Sequence, residues 1–436
     1  MIGRFDLAGA RTTVRTELLA GTTTFLTMSY IVFVNPDILA STGMDRGAVF
    51  VATCLAAALG SALMGLLANY PVGAAPGMGL NAFFAFTVVG TLGYSWQQAL
   101  GLVFVSGCLF VLLTLTGARR WLVDGIPPAL RSGIAAGIGL FLAFIGLQKA
   151  GLVVAQPATL VALGDLHRPE PLLALAGLGL IAILDLHRIR GAILLGIIAV
   201  TVAAGMLGLV HWQGLLAWPP SLAPTFLELD LAGALGGHGS GSAIAAVMHV
   251  VLVFVLVEVF DATGTLMGVA KRAGLLGTPA LQRRFNRALF ADSGAILAGS
   301  LLGTSSTTAY IESASGVQAG GRTGLTALTV AALFLLALLF SPLAAMVPAY
   351  ATAPALVYVA ASMLRELVDV RWDDLGESLP AALCALAMPL TYSIADGLAL
   401  GFLAYVALKL GAGRWREVHP ASWVITALFV LRHALQ

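Results

Sequence analysis

A chain of 436 residues that is 59% hydrophobic and only 10% charged, with a mean hydropathy of +0.95, is not a soluble domain, because such domains carry about 25% charged residues. Its net charge of +2 provides no basic surface for nucleic acid. The composition is that of a polytopic membrane protein. At about 20 residues per span plus short loops, the length has room for roughly 12 to 14 helices.

Met1 to Ala20 holds Arg4, Asp6, Arg11, Arg15 and Glu17 without a long apolar run, so the first span is expected to act as its own insertion signal. Hydrophobic patterning predicts spans at 17–38, 48–68, 77–90, 96–116, 129–148, 171–186, 191–209, 244–266, 288–302, 308–320, 323–341, 345–364, 378–392 and 395–411. That makes 14, of which the third and tenth are short. A last apolar stretch, Trp423 to Leu431, is shorter still and reads as interfacial. Cys54, Cys108 and Cys384 stand singly in apolar segments and read as small buried hydrophobes.

With the N-terminus placed in the cytoplasm, only Arg46, Lys149 and Arg168 of the 23 basic residues fall outside. The other 20, including Arg4, Arg119, Arg120, Arg322 and Arg432, fall inside. A miscounted span would scramble that alternation, so an even span number with both termini cytoplasmic is expected. His211 to Ser242 is the longest extramembrane segment and has no Lys or Arg. It divides the chain into 1–210, a connector 211–242 and 243–436, with seven spans on each side. An odd number of spans per half forces the halves to insert with opposite topology. The short third and tenth spans then occupy matching positions of an inverted repeat, the best sequence pointer to a transporter site.

The most polar stretch at membrane depth runs from Leu301 to Gly320, with seven Ser and Thr between Thr304 and Ser315 and one acid, Glu312. Ser and Thr side chains compete with helical hydrogen bonds, so an extended piece feeding a helix start is expected. Irregular backbone at this depth survives only where protein buries it or it lines a cavity. The eighth span adds Glu258 and Asp261, three apart and so on one helical face. Intramembrane acids cost at least about 2.5–3.5 kcal/mol each and mark substrate or proton sites. Carboxylates can accept paired N–H donors of a heterocycle, and hydroxyls and free N–H groups at half-helix starts supply the complementary donors. In the third span Asn81 is the one amide, and Phe83, Phe84 and Phe86 follow it; an aromatic there can stack on a planar ligand. Asp292 and Asp396 read as structural acids near the membrane surfaces, Asn35-Pro36-Asp37 as a helix stop, and His249 as a lone histidine more than two turns from Glu258. No Gly-Lys pair, His-Glu-x-x-His or Gly-x-Ser-x-Gly occurs, so neither nucleotide hydrolysis nor another membrane-enzyme chemistry has a motif, no cofactor or metal is implied, and a gradient must drive any transport.

Five stretches resemble a known family: Thr23 to Pro36, Ala75 to Phe84, Phe260 to Thr265, Thr307 to Ala314 and Pro389 to Gly397. They are similar to the adenine/guanine/hypoxanthine permeases, a branch of the nucleobase–ascorbate transporters. The resemblance implies an all-α fold of 14 spans in two inverted repeats, with core and gate domains and short strands facing each other in spans three and ten. It also implies a purine nucleobase as substrate, taken up by proton-coupled symport through elevator-type movement in a bacterial-type cytoplasmic membrane. Glu258 and Glu312 become the purine-binding carboxylates, Asn81 the third-span contact, and Tyr310, Phe83, Thr308 and Ile311 further contacts. Uracil-type relatives carry a histidine one turn after the first carboxylate; here that position is Ala262, so the proton role passes to Asp261 beside Glu258. Sodium in place of the proton and a homodimer stay open, and an anion transporter or channel of the same fold is the rival reading.

Overall fold

The structure, a computed structural model, describes residues 5–236, 243–274 and 279–435. Arg4 of the inside basic set and residues 237–242 of the connector lie outside the described residues, as do the side chains of Arg120 and Arg432.

The first span is two helices, α1 (Val14–Met28) and α2 (Ile31–Leu39), broken at Ser29 and Tyr30. Asn35 and Pro36 lie inside α2 and do not end it, contrary to expectation. Neighbouring side chains support the helix at its proline: the Asn35 amide donates to the hydroxyls of Thr53 (2.7 Å) and Thr304 (2.9 Å). Next come α3 (Arg46–Leu63), β1 (Ala74–Pro76) and α4 (Met78–Ala82), which runs on as a wider helical coil to Thr91. α5 (Trp96–Thr116) starts at a reciprocal Ser95–Gln98 capping box. α6 (Ala118–Asp124), α7 (Pro128–Lys149), a hairpin of β2 (Val153–Gln156) and β3 (Leu160–Leu163), α8 (Pro169–Leu186) and α9 (Ala192–Met206) complete the first half.

In the connector only α10 (Leu231–Gly236) is helical among the described residues. The second half has α11 (Ala243–Arg272), α12 (Pro279–Leu302), β4 (Thr307–Ala309), α13 (Ser313–Gln318), α14 (Gly324–Ala337), α15 (Ser341–Met346), α16 (Ala349–Met363), α17 (Leu375–Thr391), α18 (Ile394–Gly411) and α19 (Pro420–Leu435). The β2–β3 hairpin departs from the all-α expectation. It forms between spans, where Val153-Val154 and Leu160-Val161 flank a turn at Pro157 to Thr159. α12 starts nine residues before the expected 288, because its first turns carry Arg283, Arg284 and Arg287 and hide from an apolar pattern.

Among the described residues nine helices are long and apolar enough to cross a membrane, and shorter apolar helices accompany them. The chain is a multi-pass membrane protein. Helix packing falls into two groups, each drawn from both halves of the chain. One contains α1, α3, α5, α11, α12, α13 and α14, and the other α7, α8, α9, α16, α17 and α18. Between them, Lys149 at the end of α7 pairs with Asp37 of α2 at 2.5 Å, and the Thr352 hydroxyl of α16 donates to the same carboxylate at 3.3 Å.

The C-terminal segment is a helix packed on the bundle. His419 stacks near Trp121 and the Ser422 hydroxyl donates to the Gly125 carbonyl, while Phe429, three turns further on, meets His249 of α11 and Phe402 of α18. α19 therefore runs along the bundle, because its Ala421, Ile425 and Phe429 form a buried apolar stripe at helical spacing. At the turn before it, bonds from Arg414 and Lys409 push the Glu417 carboxyl down to about 2, which keeps this clip ionised at ordinary pH.

Glu17 is fully buried and caps α14 from α1. It accepts from the backbone N–H groups of Arg322 (2.9 Å), Thr323 and Thr326 (both 3.2 Å) and from the Thr326 hydroxyl (2.5 Å). Replacing it with Ala leaves buried donors without an acceptor, so Glu17→Ala should destabilise the fold by about 3–5 kcal/mol. Thermal unfolding in detergent checks this, with Glu17→Gln expected to lose less.

Candidate functional site

The site is built on two interrupted segments that complete each other. β1 pairs antiparallel with β4, in the register Ala74 with Ala309, Ala75 with Thr308 and Pro76 with Thr307. The pairing continues at both ends, with Gly77 N–H donating to Ser306 O (2.9 Å) and Tyr310 N–H to Gly73 O (3.0 Å). Side chains close the remaining backbone groups. The Ser61 hydroxyl accepts from Ala74 N–H at 2.9 Å, and the Ser313 hydroxyl accepts from Gly73 N–H at 3.0 Å. The Tyr310 hydroxyl donates to Pro76 O at 2.6 Å. Two glycines let the helices come this close: a Cβ at Gly60 would lie 3.0 Å from that of Ala74, and one at Gly299 would lie 2.5 Å from Thr307 Oγ1.

The acids gather around this strand pair. Glu258 is fully buried on α11, and its Oε1 accepts from the Ser306 hydroxyl at 2.6 Å. Its Oε2 has no hydrogen-bond partner among the described residues. Asn81 on α4, also fully buried, accepts from the hydroxyl of Ser305, the neighbour of Ser306, and its Nδ2 is likewise free. Adjacent serines of the expected polar run thus anchor an unsatisfied acceptor and an unsatisfied donor. Asp261 is exposed, and a Cβ at Gly77 would lie 3.7 Å from its Oδ2. Glu312 is half-buried at the start of α13 and accepts from the Tyr30 hydroxyl at 2.6 Å. Asp261 is within electrostatic reach of both Glu312 and Asp292.

The other expected contacts divide. Thr308 is buried and donates to Asp292 at 3.3 Å, while Tyr310 is taken up by the strand joint. Phe83 is buried edge-to-face against Phe254, with centroids 4.9 Å apart. Ile311 is 51% exposed beside Glu312.

Three residues that sequence reasoning passed over or misplaced belong here. Asp292, expected near the membrane surface, is fully buried and accepts from Ala309 N–H (3.0 Å) and Thr308, fixing β4 to α12. Its depth follows from the early start of α12. Tyr30 stands at the break of the first span; its signal was the Thr23 to Pro36 motif and not its residue type. Arg119, counted among the inside basic residues, is 3% exposed and reaches Thr263 on α11. No pattern in a seven-residue helix such as α6 distinguishes it from a solvated arginine.

A profile of the Permease family matches residues 15–400. The chain belongs to this family. It is 49% identical over 428 residues to the adenine permease AdeP of Escherichia coli (strain K12), covering 98% of this chain and 94% of that one. To the guanine/hypoxanthine permease PbuO of Bacillus subtilis (strain 168) it is 44% identical over 435 residues, covering 98% and 99%. All five resembling stretches lie inside the matched region. Among solved structures, the transmembrane domain of the cyanobacterial bicarbonate transporter BicA aligns with a TM-score of 0.62 at 18% identity, over 90% of this chain and 97% of that one. SLC26A9 aligns with a TM-score of 0.62 at 11% identity, over 94% and 67%. At such identities the likeness shows the fold alone.

Asp292→Ala should release two donors at the strand joint and lower stability by about 1–3 kcal/mol. Asp292→Asn retains one acceptor oxygen and should lose less. Unfolding midpoints of the purified proteins at one pH compare the two.

Proposed function

We propose that this permease is a proton-coupled symporter of purine nucleobases, of the adenine or guanine/hypoxanthine class, and not an enzyme. The observation that carries the reading is the buried, unsatisfied pair at the strand joint, Glu258 Oε2 and Asn81 Nδ2. A planar heterocycle that both donates and accepts hydrogen bonds answers both atoms, and buried polar groups are rarely left unpaired. The names of AdeP and PbuO support the same class. Glu258 and Glu312 bind the base with Asn81, the exposed Asp261 takes up and releases the coupling proton, and Ile311 borders the opening.

In this reading 14 spans form two inverted repeats, 1–210 and 243–436, joined by the connector 211–242. The group around α1, α5, α11 and α12 is the core that moves, and the group around α7, α16 and α17 is the gate. Both termini face the cytoplasm of a bacterial-type cytoplasmic membrane. The rival is an anion carrier, since BicA is a bicarbonate transporter on this fold. Glu258, Asp261, Asp292 and Glu312 together disfavour an anion at the same place.

Uptake of radiolabelled adenine, guanine and hypoxanthine into vesicles holding the purified protein tests the reading. A protonophore should abolish accumulation and removal of sodium should not. Glu312→Gln and Glu258→Gln should each lower uptake at least about tenfold, the size expected for a hydrogen bond to a charged group. Asp261→Asn should flatten the pH dependence. Uptake of an anion with no competition from any purine would sink the proposal, and an unchanged pH profile in Asp261→Asn would remove that residue from the mechanism.

A further inference from the structure

Arg119 is a guanidinium buried at the edge of the acid cluster. α6 packs on α5 and α11, and the Arg119 side chain is only 3% exposed. Its Nε and Nη2 donate to a single acceptor, Thr263 Oγ1, at 3.3 and 3.1 Å. Its carbon atom sits 4.2 Å from the centroid of the Phe110 ring. Nη1 has no hydrogen-bond partner among the described residues. One hydroxyl and one ring face do not compensate a charge that cannot be removed, because arginine stays protonated in proteins. Compensation has to come from carboxylates, and one face of α5 gathers them: Ser106 donates to Glu258 at 3.5 Å, Phe110 lies under the guanidinium, and Thr114 meets Ser293, the neighbour of Asp292, at 3.4 Å.

We propose that Arg119 is the fixed counter-cation of the buried acids, a positioning residue that sets how much negative charge Glu258 and Asp292 hold together. The proposal deepens the transport reading and rests on it for its functional consequence. The charged groups around Arg119 support the assignment. Glu258 comes from α11 and Asp292 from α12. Asp124, on the same helix as Arg119, lies within reach of Arg131, and α5 brings only the exposed Cys108 as a titratable group. Thr263 follows Asp261 by two residues, so the guanidinium is bonded to the helix that also carries Asp261. When a proton or a substrate donor arrives at Glu258, the positive charge behind it is already in place.

Two measurements on the purified full chain test this, one of them independent of any substrate. The first is the unfolding midpoint against pH for the wild type, Arg119→Gln and Arg119→Lys. Without the cation, ionised acids go uncompensated, so the deficit of Arg119→Gln should grow as pH rises, whereas Arg119→Lys should keep the wild-type pH dependence. A deficit constant with pH, or a lysine variant that behaves like the glutamine variant, overturns the proposal. The second is the pH profile of purine uptake, whose Glu258 midpoint, distinct from that of Asp261, should move up by about one unit in Arg119→Gln, in line with loss of a nearby opposite charge. An unmoved midpoint in a protein that still takes up purine overturns it too. If the wild type takes up no purine, the transport reading fails and the stability series still decides the role of Arg119. Should Arg119→Gln not fold, Arg119→Gln combined with Asp292→Asn removes one charge of each sign. Recovery of folded protein supports the pairing, and failure to recover when Asp292→Asn alone folds overturns it.

Discussion

Two stretches of this chain leave the helix where no water can reach their backbone, and that constraint organises the rest of the molecule. At membrane depth each unsatisfied N–H or C=O costs several kcal/mol. Residues 73–77 and 306–310 answer each other across β1 and β4, and the groups they leave over are met by Ser61, Ser313 and Asp292. Neither segment can be satisfied alone. The two halves of the chain must therefore meet here, with α3 and α12 drawn close over Gly60 and Gly299.

The same joint explains why the acids cluster. Hydroxyls and amides that a helix would use or exclude become available to hold charge. Ser306 holds Glu258, Ala309 N–H and Thr308 hold Asp292, and Tyr30 at the break of the first span holds Glu312. The accumulated negative charge of these acids then requires a cation inside the protein, a place that Arg119 fills from the short helix α6.

The apolar helices and the two interrupted segments were legible because they rest on local signals, apolar length and polar runs, and the structure brings Glu258, Asp261 and Glu312 to those segments. The strand pairing was implied by the family motifs and agrees with the register. What escaped notice depended on where a helix begins or how a side chain folds back. α12 starts in a charged stretch, so a pattern of apolar residues placed Asp292 too near the surface. Arg119 counts as a loop cation by every local rule, and only the packing of α6 on α11 buries it. Thr308, Tyr310 and Phe83 have the right chemistry for a ligand, and in the structure they meet Asp292, the Pro76 carbonyl and Phe254. Residue type names what a side chain can bond, and tertiary contact decides with whom.

The boundary between the two helix groups is built differently from their interiors. Within each group, helices pack through small and branched apolar residues, a close-packed arrangement that resists rearrangement. Contacts across the boundary include Asp37 with Lys149 and Thr352, Arg190 with Thr23, and Phe86 against Phe141 and Tyr392. Ion pairs of partly exposed groups contribute about 0–1 kcal/mol, and edge-to-face rings about 0.5–1.5 kcal/mol beyond their area. Phe86 belongs to the same helical run as Asn81, so a contact at that boundary and the strand joint are carried by one element.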